Sequence, residues 1–205
     1  MGRAAFLEHY ERVHGPLAAA QAGFRQFTYR YAQNHVDVSP GTSAEPMFDG
    51  ISVTWQKPRA DYRQGFFQHP DYANVRPDEE YLFDLAATVS LLAREHVVLQ
   101  GDRAGRKAIF LVDGDRAVDM NGGSAPDGIA AAICNQFDPT SASALGVGEA
   151  ALPYRELWEI WFTSDEDRSR ACAAPARLAA LGRSLRGGGI VPLAAREVVV
   201  FSETS

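Results

Sequence analysis

Two short segments of this chain each occur twice, and this internal repeat constrains the fold more than any other feature of the sequence. Residues 94–99, Arg-Glu-His-Val-Val-Leu, recur as residues 196–201, Arg-Glu-Val-Val-Val-Phe, at an offset of 102. Residues 51–55 recur as residues 157–161 at an offset of 106. Self-similarity at a near-constant separation is typical of a duplicated supersecondary unit. The sequence therefore predicts two related units in tandem.

Each predicted unit follows the approximate order strand, helix, strand, strand, helix, strand, which is the ferredoxin-like arrangement of a split βαβ pair. We therefore expect an α+β fold with one unit over residues 1–102 and a second over residues 103–205. The second unit opens with a strand at residues 107–113, but the first unit starts directly at its helix.

The missing opening strand of the first unit has three explanations, which the sequence leaves open. A neighbouring chain segment fills the gap, or the sheet stays open on that side, or the sequence starts downstream of the true N-terminus. An unpaired strand edge promotes association, so the missing strand also favours a homodimer.

Hydrophobic periodicity predicts the elements of the first unit. An amphipathic helix is expected at the start of the chain, because apolar side chains recur along one helical stripe. The stripe consists of Phe6, Tyr10, Val13, His14 and Leu17. Pro16 should kink or restart this helix, since proline removes a backbone donor and clashes with the preceding turn.

Two strands and a divided helix are expected next. Aromatic residues predict a strand over residues 24–34, with Tyr29 and Tyr31 on one face, and alternation predicts another over residues 48–55. The stretch 59–92 should be helical in two pieces. Prolines interrupt its pattern, and leucine and valine recur there at helical spacing.

Composition excludes several classes of protein. An apolar fraction of 46% supports a sizeable core. A net charge of −6 has the wrong sign for binding to phosphates, so nucleic acid is not an expected partner. No apolar run approaches the length of a membrane span, so no membrane is expected either. The two cysteines are far apart and fit a reducing compartment, which predicts a cytoplasmic protein.

Residues 9–17, His-Tyr-Glu-Arg-Val-His-Gly-Pro-Leu, resemble the EthD domain family, whose members carry a helix ending in a histidine followed shortly by Pro-Leu. Later landmarks of that domain are similar to residues 48–51 with Trp55, 77–79, 83–84 and 94–98. Together these landmarks cover roughly residues 4–100. The resemblance implies a dimeric α/β barrel, in which two antiparallel ferredoxin-like sheets enclose a mostly apolar cavity. The two units of one chain could supply both sheets.

The resemblance also implies a range of functions. Related barrels include cofactor-independent oxygenases, isomerases, cyclases, decarboxylases and dehydratases that act on aromatic or polyketide-like compounds, and others bind haem. Because a fold does not fix a function, the site has to be argued from its residues.

Histidine is the residue that most strongly suggests chemistry here. All five histidines fall in the first half: His9, His14, His35, His69 and His96. Histidine suits proton transfer at neutral pH, because its ordinary pKa lies near 6.5. His14 is the first choice as acid or base, since the break at Pro16 frees backbone groups that could orient its ring. The alternative is that His14 only hydrogen-bonds such a freed carbonyl group.

The remaining site residues are predicted around His14. Tyr29 is expected to act with it, its hydroxyl holding an oxyanion or enolate. Aromatic and histidine side chains are expected to bind the substrate: Tyr10, Tyr31, Trp55, His69, Tyr72 and His96. His9 lies about 140° from His14 on an α-helix, so the two should not share a target atom. Asp49 and Asp78 are interpreted as a turn residue and a helix cap.

The sequence thus predicts a cofactor-independent enzyme of the lyase or isomerase type, with oxygenase chemistry as a further option. It would bind a small hydrophobic molecule, aromatic or polyketide-like, in the barrel cavity and move a proton with His14. Two alternatives stay open: a non-catalytic binding protein for hydrophobic ligands and a haem-binding barrel.

Overall fold

The strands form one antiparallel sheet that curls into a half-barrel, and the helices lie on its outer side. The computed structural model describes residues 1–38, 46–58, 65–113, 126–138, 141, 153–186 and 189–203. Within these ranges the mixture of helix and antiparallel strand confirms the α+β class.

A helical segment opens the chain and contains a π-turn. Its consecutive parts are α1 (Arg3–His9), the π-turn (Tyr10–His14) and α2 (Gly15–Ala20). The N–H of Gly15 bonds to the carbonyl of Tyr10, five residues back, instead of four. The distortion expected at Pro16 is therefore a widened turn just before the proline, and the helix continues through it.

The other elements complete the sheet and its cover. The helices are α3 (Ala22–Phe27), α4 (Arg76–Leu82) and α5 (Asp165–Ala173), with short 3-10 turns at Phe66–Gln68, Pro70–Asn74, Pro175–Leu178 and Arg183–Arg186. The strands are β1 (Thr28–Val36), β2 (Gly50–Gln56), β3 (Ala93–Leu99), β4 (Arg106–Val112), β5 (Ile129–Phe137), β6 (Glu156–Phe162) and β7 (Ile190–Ser202). Their order across the sheet is β2-β1-β7-β4-β6-β5-β3.

The predicted strand over residues 24–34 is wrong in its first part. Residues up to Phe27 form α3, and the strand begins only at Thr28. The expected shared face of Tyr29 and Tyr31 is also wrong, because the register shifts between Thr28 and Arg30. A bulge of this kind inserts an extra residue and re-aims the side chains around it. Tyr29 is consequently 39% exposed, whereas Tyr31 is buried.

The predicted helix over residues 59–92 is confirmed only for α4; residues 59–64 lie outside the described ranges. The chain leaves the helix at Phe83, and Asp84 then organises a turn. The carboxylate of Asp84 accepts hydrogen bonds from the backbone N–H groups of Ala86 and Ala87. Side-chain bonds of this type compete with helix formation, which overrides the helical spacing of the apolar residues.

The curl of the sheet brings its two end strands together. The indole N–H of Trp55 in β2 donates to Glu95 in β3 at 2.5 Å. Residues directly opposite each other on neighbouring antiparallel strands share a face. We call the face that carries Trp55 and Glu95 the inner face, and the helix-covered face the outer face.

Apolar clusters lie on both faces. Beneath α2 and α3 the outer face packs Ala18, Phe24, Tyr31, Phe66 and Val75. Beneath α5 and the following turns it packs Phe110, Trp158, Ile160, Leu178 and Leu185, among others. One end of the inner face is filled by Val36, Ile109, Leu111, Leu157 and Leu193. Burial of this apolar surface is the main stabilising contribution to the fold.

The strand pairings of the two halves follow the same register. Adding 101 to each β1 number and 106 to each β2 number converts every β1–β2 pair into a β5–β6 pair. Adding 101 to β1 and subtracting 102 from β7 likewise relates the β1–β7 ladder to the β5–β3 ladder wherever both are paired. The register shifts occur at corresponding positions. The offsets of 102 and 106 found in the sequence are therefore also the offsets of the strand pairings.

Candidate functional site

Two histidines share one carboxylate on the outer face. The Nδ1 atom of His14 lies 2.9 Å from Oδ2 of Asp78, and Nε2 of His9 lies 2.6 Å from Oδ1. The side chain of His14 is only 6% exposed and that of Asp78 13% exposed. Both oxygens of Asp78 thus hold an imidazole ring.

The π-turn explains how His9 and His14 reach the same group. On an ideal α-helix, residues five apart lie about 140° from each other. A π-turn closes hydrogen bonds between residues five apart, which places these residues one above the other. His9 and His14 therefore converge on one carboxylate, although each binds a different oxygen atom of Asp78. π-Turns of this kind are frequent at functional sites.

Two residues that follow the π-turn in the sequence favour it. Pro16 cannot donate a backbone hydrogen bond to the carbonyl of Arg12. The side-chain amide of Gln33 in β1 donates to the carbonyl of Tyr10 at 2.7 Å. A side chain that bonds within the helical ladder is a known cause of distortion.

Asp78 belongs to the first turn of α4, which crosses the π-turn. The sequence interpretation of Asp78 as a helix cap is not supported, since its carboxylate oxygens bind the two histidines. The residue after α4, Phe83, packs edge-on against the His14 ring at 5.0 Å. Both ends of α4 thus contribute a side chain to the site.

Burial lowers the pKa of His14, and the hydrogen bond to Asp78 partly offsets this effect. The imidazole is therefore favoured in its neutral form at neutral pH. Since a carboxylate only accepts hydrogen bonds, Nδ1 carries the proton and Nε2 is the basic nitrogen. Nε2 of His14 has no hydrogen bond among the described residues, and it is not one of their fully enclosed unpartnered atoms.

Two tyrosines and a serine adjoin the histidine. The ring of Tyr10 stacks on His14 with centroids 5.9 Å apart. Its hydroxyl lies 2.5 Å from Oγ of Ser52, and the Tyr31 hydroxyl lies 3.3 Å from the same atom. Burial raises the pKa of Tyr10 and of Tyr31, so both phenols keep their protons.

A glycine makes room for the Tyr10 ring. A Cβ atom on Gly50 would lie 2.8 Å from a ring carbon of Tyr10. Such a contact is closer than van der Waals packing allows, so the residue beneath the ring has to be small. Gly50 belongs to the Phe-Asp-Gly-Ile landmark at residues 48–51.

The structure places Tyr29 and Trp55 away from His14. Burial and the charge of Glu95 raise the pKa of Tyr29, which locates its hydroxyl near the inner face. Trp55 lies on the inner face, where the guanidinium of Arg30 is 4.4 Å from its ring centroid. Neither side chain contacts His14 in the described part of the chain.

His69 and Tyr72 lie beside the 3-10 turns before α4. Nδ1 of His69 accepts a hydrogen bond from the backbone N–H of Asp71 at 3.2 Å, which caps the second of these turns. The Tyr72 hydroxyl donates to the Glu79 carboxylate, and burial together with this bond raises the pKa of Tyr72. Gly23 leaves the space that the His69 ring occupies.

The other two histidines are separate from the Asp78 pair. The ring centroids of His35 and Tyr10 are 5.5 Å apart. Burial lowers the pKa of His35, and the charge of Arg196 lowers it further. His96 lies opposite Cys134, on the outer face of the other half of the sheet. Of the predicted substrate residues, therefore, Tyr10 and Tyr31 lie with His14, and His96 does not.

A buried ion cluster on the inner face was not anticipated from the sequence. Nζ of Lys107 lies 2.5 Å from Glu159 and also contacts Glu197. Arg30 pairs with Glu197 at 3.0 Å, and the Asn135 amide donates to Glu159 at 2.8 Å. The resemblance implied a mostly apolar interior, but this end of the inner face is charged.

Sequence reasoning missed Asp78, His9 and Ser52 as members of the His14 site. The spacing of five between His9 and His14, followed by Pro16, was the one available signal. This spacing predicts a shared partner only if the segment forms a π-turn, and not if it forms a regular α-helix. Ser52 carries no signal, because its role depends on the pairing of β2 with β1.

One of the comparisons with known proteins gives a match. Residues 1–86 match the family model of the EthD domain, which confirms the resemblance for that part of the chain. No curated protein and no solved structure matches. None of the described helices combines the length and apolar character needed to span a membrane.

Proposed function

Since residues 1–86 match the family model of the EthD domain, we propose that this protein is a cofactor-independent acid–base enzyme. It acts on a small hydrophobic, aromatic or polyketide-like molecule by dehydration, tautomerisation or decarboxylation. The observation that carries the proposal is the buried His14–Asp78 pair, whose Nε2 atom has no partner among the described residues. The active site is then on the outer face, between α4 and the π-turn, and not on the inner face.

His14 is the general base of this proposal. Asp78 holds the ring in the tautomer that leaves Nε2 free to accept a proton. The lowered pKa keeps His14 unprotonated at neutral pH, as a base requires. His9, on the other oxygen of Asp78, is a positioning residue, because it acts on the ring only through the carboxylate.

Tyr10 and Tyr31 supply the acidic partner. Removal of a proton next to a carbonyl group places negative charge on its oxygen, and a protonated phenol can donate a hydrogen bond to that charge. The raised pKa of each phenol keeps this donor available. The rings of Tyr10 and Phe83 provide the apolar surroundings that an aromatic substrate prefers.

We propose in addition that the chain consists of two ferredoxin-like units, residues 1–102 and 103–205. The shared register of the strand pairings supports this arrangement. In the second half, the strands β4 to β7 lie in the order fourth, first, third, second, as in a split βαβ pair. All five histidines lie in the first unit, so catalysis belongs to that unit.

Exchange of α-protons with solvent tests the base directly, whatever the net reaction is. Enolisable aromatic ketones such as 1-tetralone and 1-indanone are incubated with the protein in D₂O, and ¹H NMR follows the loss of the α-proton signal. We expect exchange with the wild-type protein and a loss of roughly 100-fold or more in His14→Gln, which is typical of a missing general base.

A matched control separates catalysis from folding. Glu80→Gln alters a carboxylate on the same helix as Asp78, but the Glu80 side chain is 51% exposed and pairs with Arg76 at the surface. It should exchange protons at the wild-type rate. If His14→Gln retains full exchange, or if no ketone of the panel exchanges faster than in buffer, the acid–base assignment is wrong.

A further inference from the structure

The end strands of the sheet leave two backbone edges that face each other. Among the described strands, β2 pairs only with β1, and β3 pairs only with β5. Trp55 and Glu95 nevertheless meet through their side chains at 2.5 Å. The half-barrel is therefore almost closed, with a gap between β2 and β3.

The second half of the sheet shows what belongs in such a gap. There, β4 lies between β7 and β6 and runs antiparallel to both. The offsets of 106 and 102 relate β2 to β6 and β3 to β7. The gap thus corresponds to the position of β4.

The charges around the gap specify one side chain of that strand. In the second half, Lys107 of β4 lies opposite Trp161, with Nζ 4.5 Å from the ring centroid, and it also contacts Glu197. The same offsets convert Trp161 into Trp55 and Glu197 into Glu95. In the first half Trp55 donates to Glu95 directly, and Glu95 forms no ion pair within the described ranges, because the Arg30 guanidinium that stacks on the Trp55 ring pairs with Glu197 instead.

The next position along the gap is apolar. Glu159, the second carboxylate that binds Lys107, corresponds to Val53 under the same offset. A strand in the gap therefore meets one carboxylate, followed by aliphatic side chains of β2, Val53 and then Ile51.

We propose that the gap between β2 and β3 binds an extended peptide segment of a partner protein as an eighth strand, antiparallel to both edges. A basic side chain of that segment lies between Trp55 and Glu95, and apolar side chains follow at every second position on the inner face. The inference depends on the two-unit arrangement proposed above. It does not depend on the chemistry of His14.

A peptide that copies β4 is the direct probe. Its sequence is Arg-Lys-Ala-Ile-Phe-Leu-Val, with a soluble linker and a fluorophore, and fluorescence anisotropy measures its binding to the full chain. We expect saturable binding, and about tenfold weaker binding when norleucine replaces the lysine, because a charge-assisted hydrogen bond is lost.

Two protein variants locate the peptide. Glu95→Gln should weaken binding of the lysine peptide by about tenfold and leave binding of the norleucine peptide unchanged. Thr54→Pro removes a backbone N–H that points away from β1, and proline is tolerated on edge strands. This variant should abolish binding of both peptides. Glu166→Gln, whose side chain is 79% exposed on α5, is the matched control with wild-type binding.

Three results would overturn the proposal. One is the absence of binding up to about 1 mM peptide, and another is equal binding of a scrambled peptide. The third is a dimer of the chain whose β2 and β3 amides are protected from hydrogen exchange before peptide is added, because a second copy would then occupy the gap. Failure here leaves the proton-exchange assay of His14→Gln unaffected, so the two proposals fail separately.

Discussion

Replacing Lys107 by Met tests how strongly the inner-face ion cluster stabilises the fold. The side chains of Lys107 and Glu159 are both 0% exposed. Methionine is unbranched and of similar length, so Lys107→Met removes the charge and leaves little empty space. After the substitution, Glu197 keeps its ion pair with Arg30, but among the described residues Glu159 keeps only the hydrogen bond from the Asn135 amide.

The size of the expected destabilisation follows from the one buried carboxylate, Glu159, that loses its cation. Removing one partner of a buried ion pair costs about 3–5 kcal/mol of folding free energy. For a chain of this size each kcal/mol lowers Tm by roughly 2–4 °C, so we expect Tm to fall by roughly 6–20 °C. Adding Glu159→Gln should restore most of the loss, because a neutral amide needs no counter-charge.

Thermal unfolding followed by circular dichroism, with urea unfolding as a second measure, gives the required values. The other lysine of the chain provides the control, since Lys57 pairs with Glu203 at the surface and Lys57→Met should cost less than about 1 kcal/mol. A Lys107→Met protein with the same Tm as Lys57→Met would refute the reasoning. So would a double variant no more stable than Lys107→Met.

Three further predictions concern the outer-face site. The proton-exchange rate should fall on the acid side with a midpoint below pH 6.5, because burial lowers the pKa of His14. In Asp78→Asn this midpoint should be lower still, because Asp78 raises the pKa of His14. A wild-type midpoint at or above pH 6.5 contradicts the prediction. Burial also lowers the pKa of His35, so the stability that both neutral histidines contribute above pH 6.5 should be lost as the pH falls through the lowered values, which urea unfolding at several pH values can measure. Gly50→Ala should cost about 1–3 kcal/mol by displacing the Tyr10 ring, and an unchanged Tm would show that the ring moves freely.

Much of the sheet could be predicted from the sequence. Strand β4, expected at residues 107–113, begins and ends within one residue of that prediction. Both repeated segments are strands, and their offsets are the offsets of the pairing. These predictions succeeded because alternation and β-branched residues are local signals.

The site could be predicted only in part. His14, Tyr10 and Tyr31 were named in advance, but the residues that organise them depend on tertiary contacts. Asp78 looks like an ordinary first-turn carboxylate, and only the crossing of α4 over the π-turn brings it to His14. Tyr29 was expected to hold an oxyanion beside His14, but a bulge in β1 turns it away from the face that carries Tyr31. Bulges and π-turns each add one residue locally, so a periodicity argument fails there.

Strand pairing across the two halves makes the first half depend on the second. β3, from the first half, pairs only with β5 of the second among the described strands. β7 pairs with β4 of its own half on one side and with β1 of the first half on the other. If the connection between Leu99 and Arg106 were cut, the second fragment would keep its four paired strands, whereas β3 of the first fragment would have no partner strand of its own. The two fragments, expressed separately, should therefore bind each other through β3 and β1.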